Sequence, residues 1–402
     1  MGKEILDKKL RIAVYSGSIP STPFIENLIE VVADRNNFVY LFGKFQKRVQ
    51  YKNKNIKLYT TPVNQQKIFI FIIFQTIHLI LKSPRKFLKL LIHYLNIRTH
   101  DGIYFFQWWS KVLPVVNHLP DIFHIQWAKN LSQWFFLKDI FDVKIILSLR
   151  GAHINYSPLV DEKLLRTYRD LFPKLDAIHA VSTDIAKTAT KYGAIEKSIR
   201  VIYSCVDINL IRGIKNNFSV SSDIFRFISV GRFHWKKGYR YAISAISILL
   251  KKGFNIDYKI VAPGEPSEEI LYQVNDLDLS KRVEFIQVES QLQVYQKIKQ
   301  SNSLILPSVE EGIANVVLES MALGTPVISS DCGGMNEVVK NNNGYLFKNR
   351  DSLHLAEVMQ KMVLLQSEIR EEMIINAKNH IEKNHNPITF SDEFNDFYNS
   401  LH

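Results

Sequence analysis

The 402-residue chain has only two cysteines, Cys205 and Cys332. They cannot build a disulfide framework and lack C-x-x-C zinc spacing, as expected of a chain made for a reducing compartment. Glycine (16) and proline (13) are modest, while apolar residues reach 46% and charged residues 22%. That balance excludes a collagen-like, low-complexity or disordered chain and leaves material for large cores, in at least two domains. Long apolar runs are also missing. The longest, Ile68 to Leu81, is broken by Gln75, Thr76 and His78, and is shorter than the ~18–20 residues that cross a bilayer. The opening Met1–Leu10 is charged, without the apolar core of a signal peptide, and Leu6 stands where myristoylation wants Ser or Thr. The expectation is a cytoplasmic protein, soluble or bound to one membrane face.

One absence is local. No carboxylate occurs between Asp34 and Asp101, a stretch that carries 13 Lys or Arg residues. The net charge of +12 therefore sits in this segment, and the rest of the chain is near neutral. Charge so confined points to one anionic surface as partner. Apolar and basic residues interleave from Lys67 to Leu91, with Lys82, Arg85, Lys86 and Lys89 together, which suits helices lying on an anionic membrane. A core helix with a solvated basic face is the plainer alternative. No helix-turn-helix, RRM or zinc-finger pattern accompanies the charge, so nucleic acid is not expected.

Short β-rich runs alternate with helical patterns along the chain. Strands are expected at Leu10–Tyr15, Phe38–Phe42, Asp121–Gln126, Val143–Ser148, Ala177–Val181 and Arg200–Tyr203, with a turn at Ser16-Gly17-Ser18. A second series begins with Phe225–Val230 and continues at Tyr258–Val261, Arg282–Gln287, Ser303–Leu306, Pro326–Ser329 and Gly344–Phe347. The reading is α/β: two doubly wound, Rossmann-like domains with a cleft between them, the pattern restarting near Asp207–Phe218. Ligands in such sheets collect at the carboxyl ends of the strands.

The strongest constellation runs from Ser308 to Pro326. A buried strand leads into a loop with Glu310, Glu311 and Gly312, and a helix starts near Asn315, a good N-cap residue. Free N–H groups of Gly312, Ile313, Ala314, Asn315 and Val316 make an anion site there, and Gly312 admits close backbone approach. Glu319 follows eight residues after Glu311, on the same side of the helix as Asn315. Taken alone, two such glutamates are more often ordinary salt-bridge partners. Upstream, Ser229-Val230-Gly231-Arg232-Phe233 is followed by Lys237-Gly238. Arg232 offers a planar fork of donors and Lys237 a compact charge, a pair suited to a diphosphate leaving group.

Together these blocks resemble the family 4 glycosyltransferases, the large retaining group with the GT-B fold. The E-G-x-x-N-V-V-L-E-S-M-A-x-G-x-P-V run at Glu311 carries the resemblance most strongly. Gly333-Gly334-Met335-Asn336-Glu337 resembles the family's G-G-x-x-E loop. Val261-Ala262-Pro263-Gly264 and Val201-Ile202-Tyr203-Ser204-Cys205-Val206-Asp207 are similar to two further blocks, with Ala262, Ser204 and Cys205 as departures. The resemblance implies domains at 1–206, rejoined by 385–402, and at 207–384, the second binding the nucleotide sugar. It implies that Glu311 contacts the donor sugar, that Glu319 holds the ribose hydroxyls, and that Gly17 approaches the diphosphate. Anomeric retention is implied too, and front-face substitution is preferred because no carboxylate nucleophile stands on the N-terminal side.

The N-terminal block Leu147–Asn155 resembles the family's H-G-x-D segment, but Arg150 replaces the histidine and His153 the aspartate. His153 is a candidate for the reactive centre, and Arg150, His153 and His124 for the acceptor side, although His124 reads more readily as structural. Asp276-Leu277-Asp278 has the spacing of a metal motif but falls in a solvated loop. No metal or other cofactor is expected. The functional expectation is transfer of a sugar from a UDP- or GDP-linked donor to a saccharide or lipid-linked saccharide in polysaccharide or lipopolysaccharide assembly, at the inner membrane face. A non-hydrolysing sugar-nucleotide epimerase and a non-catalytic nucleotide-sugar-binding scaffold are the rivals.

Overall fold

Runs of β-branched and aromatic residues a few positions long, cut by glycine, aspartate or polar turns, become strands here, and the periodic segments between them become helices. The structure, a computed structural model, describes residues 9–35, 37–47, 49–101, 105–214, 223–288 and 290–401. Residues 1–8, Arg48 and the later part of the expected boundary, 215–218, lie outside the described residues. By its internal contacts the chain divides into two compact units. The first holds residues up to Ala180, 186–202 and those from Phe390 onward; the second holds Val181–Ile185 and Tyr203–Thr389.

In the first unit the strands are β1 (Arg11–Tyr15), β2 (Gly17–Ile19), β3 (Phe38–Phe45), β4 (Ile56–Thr61), β5 (Ile122–Ile125), β6 (Lys144–Leu149), β7 (Ala177–Ala180) and β8 (Ile199–Val201). All pair in parallel. From β3 the sheet runs through β1, β5, β6 and β7 to β8, with β4 on the other side of β3. The expected turn at Ser16–Ser18 is instead a continuation of the first strand. Arg11 pairs with Phe38 and Gly17 with Gly43, so one extra residue is taken up around Ser16 as a bulge. Strand β4 escapes a hydrophobicity reading because only Ile56 and Thr61 of its six residues are buried. Helices Gln65–Lys82, Pro84–Asp101 and Phe105–Asn117 connect β4 to β5. The last helix runs from Pro387 to Asn399 and buries Phe394 and Tyr398 completely.

The second unit contains β9 (Phe225–Val230), β10 (Ile256–Val261), β11 (Val283–Ile286), β12 (Ser303–Leu306), β13 (Val327–Asp331) and β14 (Tyr345–Lys348). They form one parallel sheet in the order β11-β10-β9-β12-β13-β14. Neighbouring residues of one strand feed opposite cores. Phe227 packs with Ile243, Leu249, Leu355 and Met359, whereas Ile228 packs with Val317, Leu318 and Met321. A sheet buried on both faces needs this continuous apolar run. The chain direction across the sheet reverses between β9 and β12.

Candidate active site

That reversal is the point where open α/β sheets leave a crevice outside the carboxyl ends of their strands. In the second unit the loops leaving β9 and β12 flank it, and they carry the Gly231–Gly238 and Ser308–Asn315 blocks. Gly238 has a left-handed backbone (φ 63°), and a Cβ there would collide with the Pro307 carbonyl oxygen. Only glycine lets the first loop rest on the second, where the Val309 N–H donates to the Lys236 carbonyl at 2.6 Å. The third block meets them the same way. Gly333 (φ 51°) lies against the Glu311 carbonyl, and the Gly334 N–H donates to the Gly312 carbonyl at 2.9 Å. Three blocks scattered over a hundred residues become one set of backbone contacts.

At their centre is Glu311, 8% exposed. Lys237 Nζ donates to its Oε1 at 2.6 Å, and Ser308 Oγ donates to the same oxygen at 3.0 Å. Burial pushes the Glu311 carboxyl up, but the charges of Lys237 and Lys236 and the two hydrogen bonds outweigh it, so the group stays below its ordinary range. Lys237, expected with Arg232 as the second cation of a diphosphate pair, is also ion-paired with Glu311. Arg232 is exposed and has no ion-pair partner among the described residues. Nearby, burial and then the charges of Lys236, Arg232 and Lys237 lower the His234 imidazole. Cations outnumber acids around this loop.

Glu319 belongs to a separate hydrogen-bonded set. Its Oε1 accepts from Tyr295 Oη at 3.2 Å and from Gln291 Nε2 at 3.0 Å, both on the helix Gln291–Lys299. Burial pushes this carboxyl up to about 7, with the tyrosine bond opposing the shift. Two carboxylates eight residues apart thus have opposite shifts, one set by a cation and the other by burial. The helix begins at Asn315, but Asn315 is not its cap: Ala314 occupies that position without a side-chain bond, and its N–H points to Met335 Sδ at 3.4 Å. Ile313 and Ala314 are buried, while Asn315 and Val316 are half-buried. Glu337 of the third block accepts from the N–H groups of Thr183 and Asp184 and from the hydroxyls of Thr183 and Tyr203.

Sequence reasoning passed over Ser308, Tyr295 and Gln291. The last two are four residues apart and so share a helix face, but nothing in the sequence says which residue that face meets.

In the first unit, Gly17 sits in β2 at the carboxyl end of β1. Arg150 donates to the Gln126 carbonyl (3.1 Å) and to its Oε1 (3.0 Å), and lies 4.8 Å over the Phe24 ring. His153 packs edge-on against Trp127. His124 does not line a pocket. It is fully buried, with Nδ1 2.7 Å from Tyr398 Oη and Nε2 2.8 Å from Ser148 Oγ. Ser148 also meets His179 Nδ1 at 2.8 Å, and His179 Nε2 donates to the Ile202 carbonyl. Because that carbonyl only accepts, one proton arrangement satisfies the whole series from Tyr398 to Ile202, with both imidazoles neutral. Burial lowers both histidines further. His124 is a structural residue that fixes the last helix.

Asp276 ends the helix Glu268–Asp276, and Asp278 turns with φ 55°. Among the described residues no group of three or more His, Cys, Asp or Glu side chains is placed to hold a metal ion.

Residues 214–380 match the family model for glycosyl transferases group 1. The amylovoran biosynthesis glycosyltransferase AmsK of Erwinia amylovora is 27% identical over 281 residues, covering 65% of this chain and 68% of the relative. Two further curated relatives are matched over about half of their length (52% and 49%). A solved glycosyltransferase structure from Rickettsia africae superposes with a TM-score of 0.71 at 15% identity, covering 98% of this chain and 99% of the other. Anabaena HepE, solved in complex with UDP-glucose, gives 0.70 at 17% identity, covering 97% and 100%. The fold is therefore GT-B, two α/β units each built on a parallel sheet. Residues 214–380 thus carry a domain of the glycosyl transferases group 1 type, and the relatives named here are themselves glycosyltransferases, which supports a transferase.

Proposed function

We propose that the chain is a retaining glycosyltransferase of the family 4 type, moving a sugar from a nucleotide-diphosphate donor to a saccharide or lipid-linked saccharide in cell-surface polysaccharide assembly. The observation that carries this reading is the meeting of the three sequence blocks at the strand-order reversal of the second unit. Both bonds to Glu311 go to Oε1, which leaves Oε2 to accept from a donor-sugar hydroxyl. Glu319 accepts from the ribose. Arg232, exposed and unmatched, takes the diphosphate, with Lys237 held beside it by Glu311. Fixed cations aimed at a leaving diphosphate act where charge develops, so the reaction runs without a metal ion. The UDP-glucose bound by Anabaena HepE supports a UDP-linked donor, and the capsular polysaccharide in the name of a Staphylococcus aureus relative supports a surface-polysaccharide product.

The same proposal places the protein on the inner face of the cell membrane. No helix among the described residues is long and apolar enough to cross one. At the corner between helices 65–82 and 84–101, Leu81 (80% exposed) and Leu88 stand out beside Lys82, Arg85, Lys86 and Lys89. These four cations line a cavity of about 890 Å³ at the amino ends of β1 and β6. Exposed apolar groups among cations that outnumber the cavity's two acids, Asp121 and Asp142, suit an anionic lipid surface.

The test is product analysis with a panel of UDP- and GDP-sugars, with and without a saccharide acceptor. Nucleotide release with a retained anomeric configuration, undiminished by excess chelator, is expected. An epimerised nucleotide sugar, or binding of no donor at all, overturns the reading.

A further inference from the structure

The first unit has its own strand-order reversal, between β1 and β5, and a cavity of about 340 Å³ opens there at the carboxyl ends of the strands. That is the size of a small-ligand pocket. The bulge at Ser16 draws the chain aside, so Ser16 and Ser18 join the lining, with Asn130 and Gln133 from the segment after β5. These are hydroxyl and amide groups of the kind that hold a sugar. The charged lining groups are Lys44, near the end of β3, and Lys111 on the helix 105–117; no carboxylate lines the cavity. Neither lysine has an ion-pair partner among the described residues. Lys111 is half-buried, and burial, then the charge of Lys44, lowers its ammonium. Two ammonium groups in each other's field, one partly desolvated and with no acid near, are complementary to an anion.

We infer that this cavity is an acceptor subsite for a sugar bearing negative charge, a uronic carboxylate or a phosphate ester, with Lys44 and Lys111 as the residues that set the preference. Naming the ligand an acceptor rests on the transferase reading above; the anion site itself does not. A neutral sugar finds the serines and amides but leaves both cations unanswered. An anionic one gains charge-assisted hydrogen bonds, stronger than neutral ones.

The experiment is isothermal titration of the full chain with octyl β-glucuronide, octyl glucoside 6-phosphate, neutral octyl β-glucoside and UDP. At least one anionic probe is expected to bind about tenfold or more tightly than the neutral one, the discrimination of one charged hydrogen bond. Which anion is tighter tells carboxylate from phosphate. Lys44→Gln with Lys111→Gln should erase the preference and leave UDP binding unchanged, while Lys44→Arg with Lys111→Arg should keep it. Equal binding of the three glycosides, or a preference that survives the glutamines, overturns the inference. So does a matching loss of UDP affinity, because the cavity then takes the donor's diphosphate. Selective anion binding without transfer from any nucleotide sugar would instead fail the transferase reading and leave the subsite standing.

Discussion

The carboxyl ends of the two sheets treat charge in opposite ways. In the second unit the buried acid, Glu311, is matched inside the fold by Lys237 and Ser308. In the first, Lys44 and Lys111 share a cavity with no acid at all. A buried charge matched by its own chain holds a shape, and removing one partner strands the other. A charge left unmatched beside open space is available to a ligand. By that criterion Glu311 is first a keystone of the proposed donor loops, and Arg232, Lys44 and Lys111 are the groups proposed to take an anion.

The sharpest way to break this contrast is Lys237→Ala. It removes a cation from the proposed diphosphate clamp and leaves the buried Glu311 with only the Ser308 hydrogen bond and the charge of Lys236 to offset its burial, so its carboxyl should rise. Turnover should fall at least ~100-fold, and stability by about 3–5 kcal/mol. Adding Glu311→Gln should restore most of the stability, read from denaturant melts, and none of the turnover. Recovery of both together would make the pair purely structural. Lys237→Ala with native stability and turnover would deny the pairing itself.

The contrast recurs at the other end of the first sheet, where Lys82, Arg85, Lys86 and Lys89 line a cavity whose acids are Asp121 and Asp142. Asp121 is already taken by Arg11, through two bonds to its side chain. Each cation near an anionic surface contributes about 1 kcal/mol, so four reversed to Glu should release the protein from anionic vesicles at moderate salt. Binding to neutral vesicles alone, or binding unchanged by the reversal, would defeat the membrane reading.

Much of the second unit was legible because its strands are buried on both faces and so read as continuous apolar runs: Phe225–Val230 and Ser303–Leu306 fall where expected. Strand β4 was not, since an edge strand with two buried residues leaves little hydrophobic signal. The turn expected at Ser16–Ser18 failed because a bulge and a turn use the same small residues. The site blocks were visible as motifs, yet motifs carry no pairing. That Lys237 would spend its charge on Glu311, and that Glu319 would face Tyr295, depend on glycine contacts and helix rotation that only the folded chain defines. His124 illustrates the same limit, since a histidine near the end of a strand fits a pocket as well as a buried relay until its partners are known.

Glycine contacts offer a middling test of how the matched site is assembled. Gly333→Ala would force a Cβ onto the Glu311 carbonyl in a left-handed conformation, so a loss of about 1–3 kcal/mol and a disordered donor loop are expected. Gly264 has a similar φ of 79° but nothing within 4 Å of its Cβ position. Gly264→Ala should therefore cost only backbone strain, about 1 kcal/mol. Equal losses at the two positions would show that close approach at Gly333 is not what holds Glu311.

The smallest effect, and the most specific, concerns Glu319. Its folded carboxyl is raised to about 7 from an ordinary 4.5. A raised acid binds more protons folded than unfolded, so its contribution to stability is present at low pH and fades between about 4.5 and 7. Donor binding should run the other way, because ribose hydroxyls donate to the ionised carboxylate. UDP-glucose is the suitable probe, since its diphosphate has no terminal phosphate to titrate in this range. Its affinity should fall about tenfold between pH 8 and pH 6, where only about a tenth of Glu319 stays ionised. His234 would act with opposite sign, as its protonation adds charge attractive to a diphosphate, but it is shifted below its ordinary value and titrates later. Tyr295, raised by burial, stays neutral throughout. Glu319→Gln should flatten the profile between pH 6 and 8 while leaving the fold intact, with its affinity no longer tracking pH. A wild-type profile already flat, or one unchanged by the glutamine, would place the ribose elsewhere and leave Glu319 as a helix-to-helix contact with Tyr295 and Gln291.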